Sequence, residues 1–179
     1  MKPVLFLDVD GVLSALRESP WAESVSSAVK VADYPHSFLI NTSPLLGFRL
    51  QQLPVDIHWL TTWREDANTL ISPLVGLPDD LPVVDWQIAF GEPSSIDGKR
   101  RAVEAWTEAN PGHPYIWIDD EHWRPRPHLP SLFIEGGLSL IVGPMSSRGL
   151  TPEDIDKVEQ WLLGLPEEVL SGDGRQTGW

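Results

Sequence analysis

The sequence contains no cysteine, which excludes disulfides, thiolate zinc sites and cysteine nucleophiles. Positive charge is scarce: 13 Lys and Arg stand against 26 Asp and Glu, a formal net charge of −13. That sign repels polyanions at long range, so binding of duplex nucleic acid through general phosphate contacts is not expected unless the few bases share one face. Long apolar runs are also missing. The first, Val4 to Leu7, is ended by Asp8 before it reaches the length of a signal-peptide core or a membrane span. A soluble cytoplasmic protein with no membrane partner is therefore the expectation. There is no internal repeat and no low-complexity linker, which excludes solenoids and arrays. What remains is 179 residues, 41% hydrophobic and 22% charged, the composition of a folded globular protein.

Along the chain, short apolar runs alternate with amphipathic segments, a βαβα pattern that predicts a mainly parallel sheet covered by helices. The predicted strands are Val4 to Val9, Val55 to Leu60, Pro82 to Trp86, Tyr115 to Ile118, Leu132 to Ile134 and Leu138 to Val142. Ser43-Pro44 opens a helix with Leu46, Leu50 and Leu53 on one face, and Thr151-Pro152 opens another through Ile155, Val158 and Leu162. Thr62 and Glu65 have capping-box spacing. Asp97 is a predicted cap for a helix whose inner face is Ala102, Trp106 and Ala109. Between Gly11 and Thr42 the pattern changes to a predicted β-hairpin, Ala28 to Ala32 with Ser37 to Ile40. A single domain over residues 1–170, with residues 11–42 as a small insert and 171–179 as a flexible tail, is the expected organisation.

Four segments carry chemistry. Asp8-Val9-Asp10-Gly11-Val12 ends the first apolar run, and ligands of parallel sheets bind beyond the carboxyl ends of their strands. A chain that turns at Gly11 lets Asp8 and Asp10 converge. Two carboxylates at a buried strand end are costly without a cation. A calcium loop is excluded, because Val12 and Ser19 occupy the fifth and twelfth places counted from Asp8. Thr61, at the end of the second strand, offers a hydroxyl beside a helix N-terminus, which suits a phosphate; Thr62 reads as the cap. Lys99 belongs to the basic run Lys99-Arg100-Arg101 at a helix start, where the dipole disfavours cations and a compensating anion is implied. Asp119-Asp120 end the strand beginning at Tyr115. Oxygen ligands from several strand ends describe a hard cation, Mg²⁺ before Zn²⁺. Arg64, Lys99, Arg100, Arg101, Arg124 and Arg126 lie within a few residues of these segments, consistent with an anionic substrate. His58 reads as a structural histidine; Trp21, Trp63 and Trp123 lie near the motif segments, where they either stack on a base or fill the core, and core filling is the expectation for most of the nine Trp.

In this order and strand context the motifs resemble those of the haloacid dehalogenase-like (HAD) superfamily of phosphohydrolases. Asp8 to Val12 is similar to its first motif, Thr61 to its second, Lys99 to its third and Asp119-Asp120 to its fourth. More narrowly, Trp59 to Asn68 and Gly149 to Pro152 resemble HAD domains found in some bacterial RNA-repair proteins. The resemblance implies a Rossmann-like three-layer α/β sandwich with a minimal cap. It also implies Mg²⁺-dependent cleavage of a phosphomonoester through an aspartyl-phosphate on Asp8, with Asp10 as acid and base and Thr61 and Lys99 holding phosphoryl oxygens. Gly11, Thr62 and Arg64 would line the substrate. Asp8, the Asp10 carbonyl and Asp119 would hold the metal, with Asp120 as ligand or support.

Only about forty residues, 14 to 54, separate the first two motifs, so the cap is minimal. An open site favours a large substrate end, or a homo-oligomer or partner subunit that closes it. The substrate is thus a phosphorylated small molecule or a phosphorylated nucleic-acid end. The rivals are a polynucleotide-end phosphatase, which the charge of −13 opposes, and a non-catalytic binding module. The presence of Asp8, Asp10, Thr61, Lys99 and Asp119 counts against the latter, and Asp10 counts against a dehalogenase.

Overall fold

The structure is a computed structural model that describes residues 1–32, 34–86, 96–123 and 132–171. Its centre is a five-stranded sheet of β1 (Val4–Leu7), β4 (Asp56–Trp59), β5 (Tyr115–Ile118), β6 (Leu132–Gly136) and β7 (Ser139–Gly143), in the order β4-β1-β5-β7-β6. All neighbours are parallel except β6, which closes one edge antiparallel to β7. All four residues of β1 are buried, as the uninterrupted apolar run Val-Leu-Phe-Leu requires of a strand covered on both faces.

Alternation along that strand builds two cores. Leu5 and Leu7 join Ile116 and Ile118 under α1 (Pro44–Gln52) and α4 (Pro152–Leu163), through Leu46, Leu50, Ile155, Val158 and Leu162. Val4 and Phe6 face the other way with Trp117, against Ala102 and Val103 of α3 (Ile96–Ala109). The result is the expected three-layer α/β arrangement. His58 is half-buried and meets Phe6 edge-on at 6.1 Å.

The two Pro-initiated helices start as predicted. Ser43 accepts a hydrogen bond from Leu45 N–H. Thr151 Oγ1 accepts from Asp154 N–H while Asp154 Oδ2 accepts from Thr151 N–H, a reciprocal capping box. Four expectations are corrected. Pro82 to Trp86 is not a strand: it meets the edge of β4 by a single bridge, Trp59 with Val83, because Trp86 N–H turns back to donate to Val84 C=O instead of continuing the ladder. The face of α3 turned inward is Lys99, Ala102, Val103 and Trp106, whereas Ala109 is exposed. Asp97 sits inside the first turn and pairs with Arg100 at 2.9 Å rather than capping.

The fourth correction concerns Thr62 and Glu65, which form no capping box. Arg64 takes a φ of +52°, a left-handed conformation that interrupts a helix. Regular winding begins only at a π-turn over Ala67–Ile71, followed by α2 (Ser72–Val75). The buried Asn68 anchors that turn: its Oδ1 accepts from Trp59 Nε1–H at 2.8 Å and from Leu81 N–H, while its Nδ2–H donates to Leu81 C=O.

The predicted hairpin is present, pairing β2 (Val25–Lys30) with β3 (Ser37–Thr42) as a separate antiparallel sheet; its first strand begins three residues earlier than expected and ends before Val31, and its second runs two residues further. Its base is tied to the segment after β1: Ala15 N–H donates to Asn41 C=O, Asn41 N–H to Ser14 Oγ, and Ser43 Oγ–H to Ala22 C=O. A short helix α5 (Glu167–Ser171) ends the described chain; residues 172–179 of the expected tail lie outside the described residues. Among the described residues no helix is long and apolar enough to cross a membrane.

Candidate functional site

The parallel strands deliver their last residues to one edge. Asp8 N–H donates to Ile118 C=O and Asp119 N–H to Val142 C=O, so the sheet continues one residue beyond β1 and β5 and holds both aspartates side by side. Asp8, Asp119 and Asp120 offer carboxylate oxygens that all lie within 4.8 Å of one another. Lys99 reaches them from the buried face of α3, with Nζ 2.9 Å from Asp8 Oδ2 and 2.7 Å from Asp119 Oδ2. Lys99, Asp8 and Asp119 are all buried. Isolated charges could not persist there, and pairing is what makes their burial tolerable.

Electrostatics follow from that crowding. Burial pushes the Asp8 carboxyl up to about 6, against the lowering effect of Lys99. Asp120 rises to about 7, through burial and then the charges of Asp8 and Asp119. Asp119 is raised by burial, partly offset by Lys99 and by Glu121 N–H, which donates to its Oδ1 at 2.9 Å. Lys99 loses to burial but gains more from its two carboxylates, and its pKa is raised. Carboxyls that resist ionisation beside one another become a good cation site, because a divalent ion relieves both burial and mutual repulsion.

Asp10 stands apart from this trio. The chain turns at Gly11, whose φ is +69°, and a Cβ there would collide with the Asp120 carboxylate and lie 2.9 Å from Ser146 Cβ. Only glycine fits. Val12, Leu13 and Ser14 N–H groups all donate to Val9 C=O, and Gly11 N–H donates to Ser14 C=O. The turn directs Asp10 to Trp63, whose Nε1–H donates to Asp10 Oδ2 at 2.9 Å. Burial raises the Asp10 pKa, and this hydrogen bond opposes the rise. The loop after β7 supports the turn from below: Leu150 N–H donates to Val12 C=O, Leu16 N–H to Ser146 C=O, and Trp21 Nε1–H to Leu150 C=O at 2.6 Å. Gly149, at φ +68°, passes so close that a Cβ would be 2.6 Å from Val12 O.

The second-motif threonines have different surroundings. Thr61 is fully buried, and its Oγ1 accepts the hydrogen bond from Trp63 N–H, the contact expected of a cap. Thr62 is exposed and lines a cleft with Asp10 and Trp63. Arg64 is held by Asp85 at 2.6 Å and Arg100 by Asp97, so these two bases are spoken for by carboxylates outside the acidic trio. Arg124 and Arg126 lie outside the described residues. The residue that sequence reasoning undervalued is Trp63. Open between base stacking and core in the sequence, it is buried and bonds Asp10, a contact whose only sequence signal is its place two residues after Thr61.

A Rossmann-like α/β sheet that gathers aspartates from adjacent strand ends around a buried lysine, with a hairpin inserted after the first strand, defines a HAD-like domain. The family model for the HAD domain in Swiss Army Knife RNA repair proteins matches residues 4–155, and the chain belongs to that family. No curated protein and no solved structure matches it.

Proposed function

We propose that this protein is a Mg²⁺-dependent phosphomonoesterase that works through an aspartyl-phosphate on Asp8, with a phosphorylated nucleic-acid end as its substrate class. The observation that carries the reading is the trio Asp8, Asp119 and Asp120 with Lys99 wedged between two of its members. This all-oxygen donor set suits a hard cation. Asp8, Asp119, Asp120 and the Asp10 carbonyl would hold Mg²⁺, which when bound neutralises phosphoryl charge and keeps the carboxylates ionised. The RNA-repair family supports the nucleic-acid end.

Asp8 is the nucleophile. One of its oxygens bonds to phosphorus as the ester P–O bond breaks, and the leaving oxygen takes the Asp10 proton. Asp10 suits that task because burial favours its protonated form and the Trp63 indole fixes its orientation. In the second step Asp10 takes a proton from water, the water oxygen bonds to phosphorus, and the Asp8–phosphate bond breaks to release inorganic phosphate. Lys99 and the Thr61 hydroxyl steady the phosphoryl oxygens. The net charge of −13 favours a strand end over an extended polyanion lying across the surface.

The test is phosphate release from p-nitrophenyl phosphate and from 3′- and 5′-phosphorylated oligonucleotides, with Mg²⁺ or EDTA. Turnover that needs Mg²⁺ and disappears in Asp8→Asn is expected. Turnover that survives either EDTA or Asp8→Asn would reject the mechanism, and no turnover on any substrate would favour a binding module.

A further inference from the structure

Beside Asp10 lies a cavity of about 140 Å³ between the tip of the β2–β3 hairpin and the segment that follows β4. Val31, Tyr34 and Phe38 supply one wall, and Trp63 and Asp66 the other. Phe38 meets Trp63 edge-to-face with ring centroids 5.4 Å apart, and Tyr34 meets Phe38 at 5.2 Å. Three aromatic rings therefore stand around a hollow whose polar members are Thr62 and the carboxylates of Asp10 and Asp66. Trp63 belongs to both constructions, since one edge of its indole holds Asp10 while the ring walls the cavity.

We propose that this cleft seats the base of the substrate's terminal nucleotide, so that Tyr34, Phe38 and Trp63 are specificity residues for a nucleoside phosphate. The inference rests on the phosphatase reading above, because it places the reacting phosphate at Asp8. Three observations choose the occupant. The cleft is continuous with Asp10, the group that protonates the leaving oxygen, so whatever fills it belongs to the leaving group. Its aromatic walls favour a flat ring, which stacks without regard to sequence. Asp66 places a further carboxylate in its lining, on the wall away from the reacting phosphate; it repels a second phosphate and accepts a hydrogen bond from the exocyclic amine of a base. A further stretch of phosphodiester backbone meets the opposite preference on each count.

Equilibrium binding to Asp8→Asn in the presence of Mg²⁺ tests the cleft apart from turnover. The probes are adenosine 5′-monophosphate and adenosine 3′-monophosphate, compared with ribose 5-phosphate, which has no base. At least one nucleotide should bind more tightly than ribose 5-phosphate by about 5- to 140-fold, the range of base–aromatic stacking. That advantage should fall to within about threefold of unity when Phe38→Leu or Tyr34→Ser is added. Tyr34 is half exposed, so Tyr34→Ser leaves the folded core intact and keeps the test valid should Phe38→Leu misfold. Equal affinities for all three probes, or an advantage that survives both substitutions, would overturn the proposal. Phosphate release by the wild type judges the phosphatase reading separately, so the two can fail independently.

Discussion

Replacing Lys99 by Met keeps an unbranched apolar stem on the buried face of α3 and removes only the charge that faces Asp8 and Asp119. Breaking a buried ion pair from one side costs roughly 3–5 kcal/mol. In a chain of this size 1 kcal/mol moves the midpoint by about 2–4 °C, so the metal-free variant should melt about 6–20 °C below the wild type at pH 8. The abandoned carboxylates have an escape, because they can take up protons. Neutralising a group whose ordinary pKa is 3.8 costs about 5.7 kcal/mol at pH 8 but about 1.6 kcal/mol at pH 5. Asp8, already raised to about 6, is mostly protonated at pH 5 even in the wild type, which leaves Asp119 as the group to neutralise. At pH 5 the deficit should therefore shrink to about 3–6 °C. Mg²⁺ at pH 8 should raise the midpoint of Lys99→Met more than that of the wild type, since the cation then meets three carboxylates without a competing ammonium. Thermal unfolding at both pH values, with Mg²⁺ or EDTA, reads all of this. A deficit equal at pH 5 and pH 8 and indifferent to Mg²⁺ would show that Lys99 acts by packing, and would refute the electrostatic account. Phosphate release should meanwhile fall by about 10²–10³ if Lys99 also steadies the reacting phosphoryl group.

Proton competition gives the wild type a second signature. Asp8 and Asp120 have folded pKa values raised to about 6 and about 7, so their contribution to stability is complete below their ordinary 3.8 and is lost as pH rises through 6 and 7. The metal-free protein should gain stability as pH falls from 8 to about 6.5, while Mg²⁺-induced stabilisation should weaken over the same range; chemical denaturation at fixed pH measures both, and a flat Mg²⁺ response would refute it. Below about 6.5 the trend should be blunted, because burial lowers His122 to about 4, and its contribution, present above 6.5, is lost as pH falls toward 4. Trp63→Phe deletes the indole N–H that holds Asp10 and keeps most of the ring. It should lower kcat on ribose 5-phosphate by about 10- to 100-fold and affect p-nitrophenyl phosphate much less, because that leaving group departs without a proton; equal losses on both substrates would mean a merely structural role. Gly11→Ala imposes a left-handed alanine costing about 1–2 kcal/mol and drives a methyl group into Asp120. Its midpoint should drop by about 2–8 °C and its Mg²⁺-induced stabilisation should vanish; a normal Mg²⁺ shift would remove Asp120 from the cation site.

What could be read from the sequence and what could not divide along a physical line. Asp8 and Asp119 stand out because a charge at the end of an apolar run is costly without a partner, and Lys99 because a cation at a helix start opposes the dipole; the structure brings all three together in a buried cluster. The three-layer sheet was legible for a related reason: Val4 to Leu7 and Tyr115 to Ile118 are apolar on both faces, which only a strand covered on both sides can tolerate. Trp63 and Asn68 were hidden because each resembles its surroundings. A tryptophan in an apolar segment satisfies the core as well as it satisfies Asp10, and only the fold, by bringing it next to an aspartate 53 residues away, shows that it does both. Asn68 likewise acts through partners at Trp59 and Leu81, and the π-turn it stabilises overrides the capping signal of Thr62 and Glu65. Groups that bear the charge announce themselves locally through the cost of burying it, whereas groups that aim them act through contacts the topology creates. Trp63 and Asn68 are of the second kind, and substitutions there should perturb the site without removing any of its charges.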